Sequence, residues 1–411
     1  MTTATATLPF TESHFDQTLS SRQEPGWLSD ARRRAWKQHL ELPFPAPGDE
    51  QWRRTDPERF RLEQALVSGL ETQISGLDGG PLSSVVATRL DEALQSPDLE
   101  KLFFGVADSG RDLFTALNGA LGRGGACVLV PRAAELRGEP IRLEHRTGSG
   151  YVLPHTVIHG EPLSTSAIVE VFTSGDEAVL AAPVIEIQLE AGARMQYVHV
   201  QEWGARTAAI PRIHARLGRD SELQLLFAAW NGAITKSVVE ADLVGPGARC
   251  EALGVVFTQG RQHVDCHVQQ NHRFANTVSD VLYHMALTGR SRTVFTGNIL
   301  VEPGAQKIDG YQTNRNLLLS PKARADAMPK LEIEANDVRC SHGASFSSYD
   351  PEQQFYLRSR GLTRLEAQQL LVTGFYQEVF DRFQHEPVAE WLLSRLAARM
   401  QGALGKARGE S

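Results

Sequence analysis

The sequence predicts a mainly β protein whose core is a parallel β-helix of about 28 residues per coil, flanked by helical N-terminal and C-terminal regions. Two series of turn residues, each recurring at a nearly fixed spacing, lead to this prediction. The first series runs through Ala193, Ser221, Ala248, Thr277 and Ala305. The second, lying between them, runs through Gly204, Gly232, Gly260 and Gly289. A fixed period that contains two turns is typical of a solenoid.

The runs that follow the first turns alternate polar and less polar residues, as strands with one buried face do. This alternation predicts that Met195, Leu223 and Cys250 stack in one interior column. Each coil pairs with its neighbours because it cannot bury an apolar face alone. A β-sandwich is the alternative, but antiparallel hairpins do not require two turn series locked to one period. We therefore prefer the β-helix.

Three regions follow along the chain: a mostly helical region over 1–124, the β-helix over 125–348 and a C-terminal helical region over 349–411. In the first region, Ser29 is predicted to cap a helix over residues 31–40 that stops before Pro43. A second helix is expected over residues 111–121, where apolar residues fall at helical spacing. The helical ends are expected to cap the solenoid.

The C-terminal region carries local signals for three helices. Asp350 with Pro351 starts the first, Thr363 with Glu366 forms a capping box for the second, and Pro387 begins the third. The region supplies more aromatic surface than a small cap needs, and aromatic residues anchor protein interfaces. We therefore predict partner-binding candidates among Phe355, Tyr356, Phe375, Tyr376 and Phe380. A cap without a partner is the alternative.

Composition argues against several classes of protein. Forty-two basic and forty-nine acidic residues give a formal charge of -7, which has the wrong sign for a general nucleic-acid binder. The four cysteines include no CxxC pair, and are too few for a disulfide framework. No apolar run reaches the roughly 18 residues of a membrane span, and Met1–Phe10 lacks the features of a signal peptide. The expectation is a cytoplasmic protein that binds neither membrane nor nucleic acid.

Enzyme signatures are missing from the sequence. It contains no GxxxxGK[ST] loop, no GxSxG and no HExxH, so the prediction is that the protein is not an enzyme. The rival is a polysaccharide-acting β-helix enzyme, which needs paired acids in a groove. Asp280 and Asp309, one coil apart, are the candidate pair. A polar ladder on the outer sheet explains them more simply.

The first possible metal site lies at His263, Asp265 and His267, which alternate onto one strand face. Same-face neighbours on a strand lie roughly 7 Å apart, so three of them rarely close on one ion without a ligand from an adjacent coil. His272 or His284 is the expected source of such a ligand. A solvated polar face is the preferred interpretation.

The second possible site is Cys340 with His342, two residues apart and therefore on one strand face. A thiolate and an imidazole are both good iron ligands. From spacing alone, a buried free cysteine beside a satisfied histidine is the preferred interpretation.

Three long motifs give the sequence a family resemblance: Asp309–Ser320 (DGYQTNRNLLLS), Pro329–Ala344 (PKLEIEANDVRCSHGA) and Phe355–Gly361 (FYLRSRG). Together with Trp52–Asp56 (WRRTD), they resemble the SufB/SufD family of iron-sulfur cluster assembly proteins. The resemblance covers most of the chain. It is closer to SufD, because the Cys-Ser-His-Gly segment has the SufD form and the cysteine-rich N-terminal motif of many SufB proteins is missing.

The resemblance implies a cytosolic scaffold complex of the Suf system. In this family SufD pairs with SufB through the β-helices, and each binds one copy of the SufC ATPase through its C-terminal helices. It implies no tightly bound cofactor, but a transient iron or iron-sulfur cluster at the SufB interface. By motif match, His342 is a possible iron ligand there, with Cys340 as its neighbour. A homodimer of the isolated chain is the alternative assembly.

Overall fold

The structure, a computed structural model, describes residues 8–76, 85–94, 96–136, 138–348 and 350–406. Residues 1–7, which belong to the segment examined for a signal peptide, and residues 349 and 407–411 of the predicted C-terminal region lie outside the described residues. Among the described helices, none combines the length and the apolar character needed to cross a membrane.

Strands make up most of the chain between residues 70 and 348. In chain order they are β1 Leu70–Ser75, β2 Val86–Arg89, β3 Ala126–Val130, β4 Ile141–Thr147, β5 Gly150–Val152, β6 His155–Gly160, β7 Thr165–Ser174, β8 Val179–Ala181, β9 Val184–Leu189, β10 Arg194–Glu202, β11 Thr207–Ala209, β12 Arg212–Leu217, β13 Glu222–Ala229, β14 Ile234–Leu243, β15 Arg249–Thr258, β16 His263–His272, β17 Val278–Leu287, β18 Arg292–Val301, β19 Ile308–Leu318, β20 Arg324–Ile333 and β21 Val338–Ser348.

Helices precede and follow the strands in sequence, and in the described part of the chain three of them lie between β2 and β3. They are α1 Glu12–Ser20, α2 Gly26–Glu41, α3 Leu90–Ala93, α4 Pro97–Leu102, α5 Leu113–Leu121, α6 Pro351–Ser359, α7 Arg364–Arg382 and α8 Glu386–Lys406, with a short 3-10 helix at Pro57–Phe60.

The strands form two long sheets that climb the solenoid side by side. Sheet I has the order β1-β4-β7-β10-β13-β15-β17-β19-β21. Sheet II runs β2-β3-β6-β9-β12-β14 and continues through β16, β18 and β20, with the short strands β5, β8 and β11 beside it. Strands of successive coils pair in parallel, whereas β1 with β4 and β2 with β3 are antiparallel. The predicted parallel β-helix is therefore confirmed.

The period of the coils matches the sequence prediction closely. In sheet I, one register position recurs at a nearly constant spacing through Arg194, Glu222, Arg249, Val278, Asp309 and Arg339. The predicted turns contain left-handed backbone at Gly192, Asp220, Gly247, Asn276, Gly232, Gly260 and Gly289. At Gly204 the backbones approach so closely that a Cβ atom would lie 1.7 Å from the carbonyl oxygen of Gly175.

The interior column predicted from the alternation is present. Met195 pairs with Leu223, and Leu223 pairs with Cys250. All three side chains are buried in the core between the two sheets. Burial of this apolar interior is the main force that holds the coils together.

Some of the helix boundaries predicted from local sequence signals are confirmed, and one is wrong. The capping box at Thr363 and Glu366 and the Asp350 cap are both confirmed, and Asp112 caps α5. The start predicted for α2 was wrong, because the helix begins at Gly26, directly after Pro25, and not after Ser29. β1 and β2 also lie within the region that the sequence predicted to be mostly helical.

The C-terminal helices cover the outer face of sheet I and do not close the end of the solenoid. Apolar residues of α7 and α8, among them Tyr376 and Leu392, pack on outward-facing residues such as Val200 and Leu253. The expectation of a cap on the end was therefore wrong for these helices. The last coil, formed by β20 and β21, keeps its far side uncovered by any part of the chain that the structure describes.

Candidate functional site

The candidate site lies on the last coil, at a surface that we call the open end, formed by β20 and β21. Within the described residues, β21 pairs only with β19, and β20 pairs only with β18. Each strand therefore presents an unpaired row of backbone donors and acceptors, which is a template for another strand. Side chains that would be core residues in any earlier coil are exposed here.

His342 is one of these side chains. Register places Val281, Gln312 and His342 in one interior column, on the same face of sheet I as the buried core. His342 and Cys340 share one strand face, as their spacing predicts, and the register shows that this face is the inward one. His342 is exposed because no further coil follows β21 within the described residues.

The interior changes character directly beneath His342. Val281, Tyr283 and Met285 of β17 are core residues, but the next coil replaces them with polar side chains, Gln312, Asn314 and Asn316. Gln312 Nε2 donates to the Lys330 carbonyl oxygen at 3.1 Å, and Asn316 Nδ2 donates to Asn314 Oδ1 at 2.6 Å. Among the described residues, the buried Oε1 of Gln312 has no hydrogen-bond partner. We call these buried amide side chains the polar floor. Buried acceptors without a hydrogen-bond partner are rare in proteins, so the unpaired Oε1 of Gln312 needs an explanation.

Sequence reasoning missed this polar floor. The signal was present in the motif Asp309–Ser320, where amide side chains stand at alternate positions 312, 314 and 316. Alternate positions on a strand share one face. The parallel register of β19 shows that this face is the inward one.

Cys340 also points inward. Its Sγ lies 3.4 Å from the place where Gly310 would carry a Cβ atom, and it packs against the small cluster that contains Ile299 and Ile308. Partial burial, together with the negative charge of Asp309, raises the pKa of the Cys340 thiol. In the isolated chain Cys340 is therefore a protonated packing residue at neutral pH.

His263, Asp265 and His267 do share a strand face, but a lysine fills the space between them. Lys236 Nζ, one coil earlier, donates to Asp265 Oδ2 at 2.8 Å and lies 2.7 Å from His267 Nε2. Its ammonium group takes the position that a metal ion shared by these groups would need. Neither of the two histidines expected to supply a further ligand joins this group. His272 is hydrogen-bonded to Thr277 and Ser279, and His284 belongs to sheet I.

The same network explains the Trp52–Asp56 motif. Thr55 Oγ1 donates to Asp265 Oδ2 at 2.5 Å and lies 2.8 Å from His263 Nε2. Arg54 Nη1 bonds Asp326 of β20 at 3.0 Å. The polar face expected to be solvated is thus buried under the N-terminal segment. The motif fastens that segment to sheet II next to the open end.

The five C-terminal aromatic candidates fall into two groups. Phe375, Tyr376 and Phe380 face sheet I: Phe375 stacks on His284, and Tyr376 and Phe380 are buried. Phe355 and Tyr356 on α6 are 74% and 57% exposed. Beside them a cavity of about 400 Å³ lies between α6 and α7, and its lining includes Tyr356, Leu357, Leu370 and Leu371. Only this second group offers its rings to a partner.

The acid pair expected of a polysaccharide-acting enzyme is not aligned. Register sets Asp280 opposite Tyr311, and Asp309 opposite Val278, because this coil is longer than the one before it. Arg382 of α7 donates to Asp280 at 2.9 Å, so this carboxylate lies beneath the C-terminal helices and not in an open groove.

The fold and this site define a class: a parallel β-helix with one polar open end and a helical layer along one face. A family profile described as SUF system FeS cluster assembly, SufBD core domain, matches residues 143–375, which is more than half of the chain. The chain belongs to this SufB/SufD family. The matched region runs from β4 into α7 and includes the whole open end.

Individual relatives agree with the family assignment. The chain is 27% identical to the SufD protein of Bacillus subtilis over 92% of its own length and 95% of that protein. It is 40% identical to the SufD protein of Escherichia coli over 33% of its length and 31% of that protein. The chain is 33% identical to an iron-sulfur cluster assembly SufBD family protein of Mycobacterium leprae. This match covers 52% of the chain and 56% of the length of that relative. The resemblance to SufD is confirmed.

Proposed function

We propose that this protein is a non-catalytic scaffold subunit of a complex that assembles iron-sulfur clusters in the cytoplasm. The observation that carries the proposal is the open end. There, a histidine in an interior column is exposed above a buried polar floor, at the last coil that the structure describes. A solenoid that served only as a rigid spacer would gain by closing that end with a capping repeat whose outer face is polar.

The partner at the open end is a SufB-like protein that adds its own β-helix to β20 and β21. Two exposed apolar side chains support this docking, since Phe346 and Ile333 are 51% and 40% exposed while they occupy interior columns. Unpaired strand edges supply backbone hydrogen bonds, and a second coil would bury both side chains. The two solenoids would then share one continuous core.

Iron or a nascent cluster is the cargo of this interface, held there transiently. His342 supplies an imidazole from the last coil, and its column is continued by Gln312 below. Cys340 becomes a possible second ligand only if the partner lowers the pKa of its thiol, because the isolated chain raises it. His342 is therefore the primary ligand candidate on this side of the interface.

A SufC-like ATPase is the proposed partner of the C-terminal helices. Phe355 and Tyr356 present aromatic surface beside the apolar cavity between α6 and α7. Aromatic anchors next to a preformed pocket are the usual centres of protein interfaces. Because α7 and α8 cover sheet I, removing the whole region would bare an apolar face, so point variants on α6 are the better probe.

Co-expression with SufB-like and SufC-like partners tests the assignment. The variant Ile333→Asp places a charge on the open end and should abolish co-purification of the SufB-like protein while the SufC-like protein remains bound. Leu40→Asp, on the exposed surface of α2, is the matched control and should change neither. If the SufB-like protein is absent from the wild-type complex, or if only a homodimer forms, the proposed pairing is wrong.

The second interface has its own test. Replacing both Phe355 and Tyr356 by alanine should remove the SufC-like protein and leave the SufB-like protein bound. Both rings are exposed, so the stability of the chain should change by less than about 1 kcal/mol. Retained binding of the ATPase by this variant would move that interface elsewhere.

A further inference from the structure

A second group of ligand-type side chains lies on the outer face of sheet II, away from the open end. The donor atoms of His214, Glu240 and Asp242 all lie within 4.8 Å of one another. His214 belongs to β12, and both carboxylates belong to the neighbouring strand β14. All three side chains are half-buried.

The strand geometry makes this convergence possible. Glu240 and Asp242 are two residues apart and therefore share one face of β14. His214 stands opposite Glu240 in the parallel register, so the three side chains form a triangle across two coils. Three side chains along one strand face are too far apart to bind one ion easily. Two side chains on one strand and a third on the neighbouring strand lie closer together, because adjacent strands are only about 4.8 Å apart. The sequence contained a signal for part of this cluster, since Asp242 follows His214 by 28 residues, which is one predicted period.

The distances within the triangle fit a shared ion. His214 Nε2 lies 2.9 Å from Asp242 Oδ2. These two atoms share a hydrogen bond. Ligand atoms about 2.1 Å from one ion lie about 3.0 Å apart at an octahedral angle and about 3.4 Å apart at a tetrahedral one, so the pair would have to separate only slightly to hold an ion in place of the shared proton.

Both carboxylates are held in place on the side away from His214. Asn271 Nδ2 donates to Glu240 Oε1 at 3.0 Å and to Asp242 Oδ1 at 2.9 Å. Arg273 Nη2 donates to the same Oδ1 of Asp242, also at 2.9 Å. The other two carboxylate oxygens contact different groups: Asp242 Oδ2 is hydrogen-bonded to His214 Nε2, and Glu240 Oε2 lies 3.9 Å from Arg212 Nη1. Outer hydrogen bonds of this kind orient the ligands of a metal site.

The charges around the triangle are unbalanced. Two groups of ion pairs flank the triangle, with N–O distances from 2.5 to 3.9 Å. Arg212 pairs with Asp112 and Glu240, and Arg273 pairs with Asp242 and Glu302. Four negative charges less two positive charges leave a surplus of two. A divalent cation would neutralise this surplus.

We propose that His214, Glu240 and Asp242 bind a divalent first-row transition-metal ion, with Zn²⁺ as the representative ion. A neutral imidazole with two carboxylates suits such ions better than Mg²⁺ or Ca²⁺, which prefer oxygen ligands alone. The bound ion links β12 to β14 on the outer face of sheet II and stabilises the middle of the solenoid. This accessory site is separate from the cluster-assembly role proposed for His342.

The experiment uses the full chain, treated with a chelator and then titrated with Zn²⁺ alone. We expect one equivalent to bind and to raise the melting temperature, since a ligand that binds only the folded state stabilises it. The double variant His214→Gln with Asp242→Asn should weaken binding by at least about tenfold. His159→Gln is the matched control, because His159 lies 3.5 Å from Glu190 on the same sheet face and forms no three-ligand cluster with any described residue. That control, and His342→Ala, should bind Zn²⁺ as the wild type does.

Arg273→Gln separates a metal site from a purely structural ion-pair cluster. Glutamine keeps an amide N–H that can donate to Asp242 Oδ1 but removes the positive charge beside this carboxylate, so Zn²⁺ binding should tighten by about tenfold, whereas a structural cluster would only lose stability. The proposal is overturned if the wild type binds no Zn²⁺ at micromolar concentration, if the double variant binds it unchanged, or if Arg273→Gln weakens it.

Discussion

His342 of β21 stands directly opposite Gln312 of β19, and the two side chains differ sharply in exposure although they share one interior column. Gln312 is 1% exposed because a further coil covers it, whereas no described residue covers His342 in the same way. The column therefore reaches solvent at a single residue. Functional changes at His342 can be made without disturbing the core beneath it.

The variant His342→Ala should leave folding intact and impair cluster assembly. An exposed side chain on the last coil loses little packing, so the free energy of unfolding should change by less than about 0.5 kcal/mol. The measurement is the iron and sulfide content of the complex purified with its partners. Ser341→Ala, on the same strand but on the opposite face, is the control. Normal iron and sulfide content with His342→Ala would remove the proposed ligand role.

Alkylation should distinguish Cys340 from the other three thiols. Burial raises the pKa of Cys127, Cys250 and Cys266 to about 12, and these thiols are inaccessible in the folded chain. Cys340 is only half-buried, so iodoacetamide should label it first, and faster as the pH rises because the thiolate is the reactive form. Mass spectrometry of a time course checks the order. A SufB-like partner at the open end should protect Cys340, and equal labelling of a second cysteine would contradict the burial pattern.

Gly254→Ala should destabilise the solenoid. A Cβ atom on Gly254 would lie 2.2 Å from Cδ1 of the buried Tyr283, whose ring cannot move away because it packs against Phe295. Overpacking of this kind costs about 1–3 kcal/mol. Urea unfolding of the variant measures the loss. Gly175→Ala, where no atom lies within 4 Å of the added methyl group, should leave stability nearly unchanged.

Mild acid should weaken the fold. Burial lowers the pKa of His199, His263 and His272 to about 4. An unfolded histidine titrates near 6.5, so between about pH 6.5 and 4 the unfolded chain binds more protons, and the free energy of unfolding falls as the pH falls. Between pH 7.5 and 5.5 the loss should be about 1 kcal/mol for each histidine.

Urea unfolding at the two pH values tests this prediction. His272→Gln removes one of the three groups, and its pH-dependent loss should be smaller than that of the wild type by about 1 kcal/mol. A wild-type stability that is the same at both pH values would contradict the prediction.

Repetition made the β-helix predictable. Residues such as Gly247 and Asn276 stand where each coil requires left-handed backbone, and few residue types tolerate that conformation. The capping box at Thr363 was equally predictable from the sequence, because its two hydrogen bonds join residues that are only three positions apart. The start of α2 was misplaced because two local signals, Pro25 and Ser29, competed within one turn.

The polar networks could not be predicted in the same way. Thr55 and His263 are 208 residues apart, and only the docking of the N-terminal segment on sheet II brings them together. Inside the solenoid, Glu170 bonds His145 and Tyr197, which lie 25 and 27 residues away. Such partners follow from the coil period only when the register is known, and the register shifts because the coils differ in length.

The antiparallel strands β1 and β2 at the other end of the solenoid limit how large an assembly can grow. Each is short, with six and four residues, and reverses the strand direction that a further coil would continue. A fibre needs two joining surfaces on every molecule, and at this end the described edge strands are short and antiparallel, unlike β20 and β21. In the proposed pairing through β20 and β21, the two outer ends of the pair would carry only these short antiparallel edges, which disfavours the addition of a third solenoid.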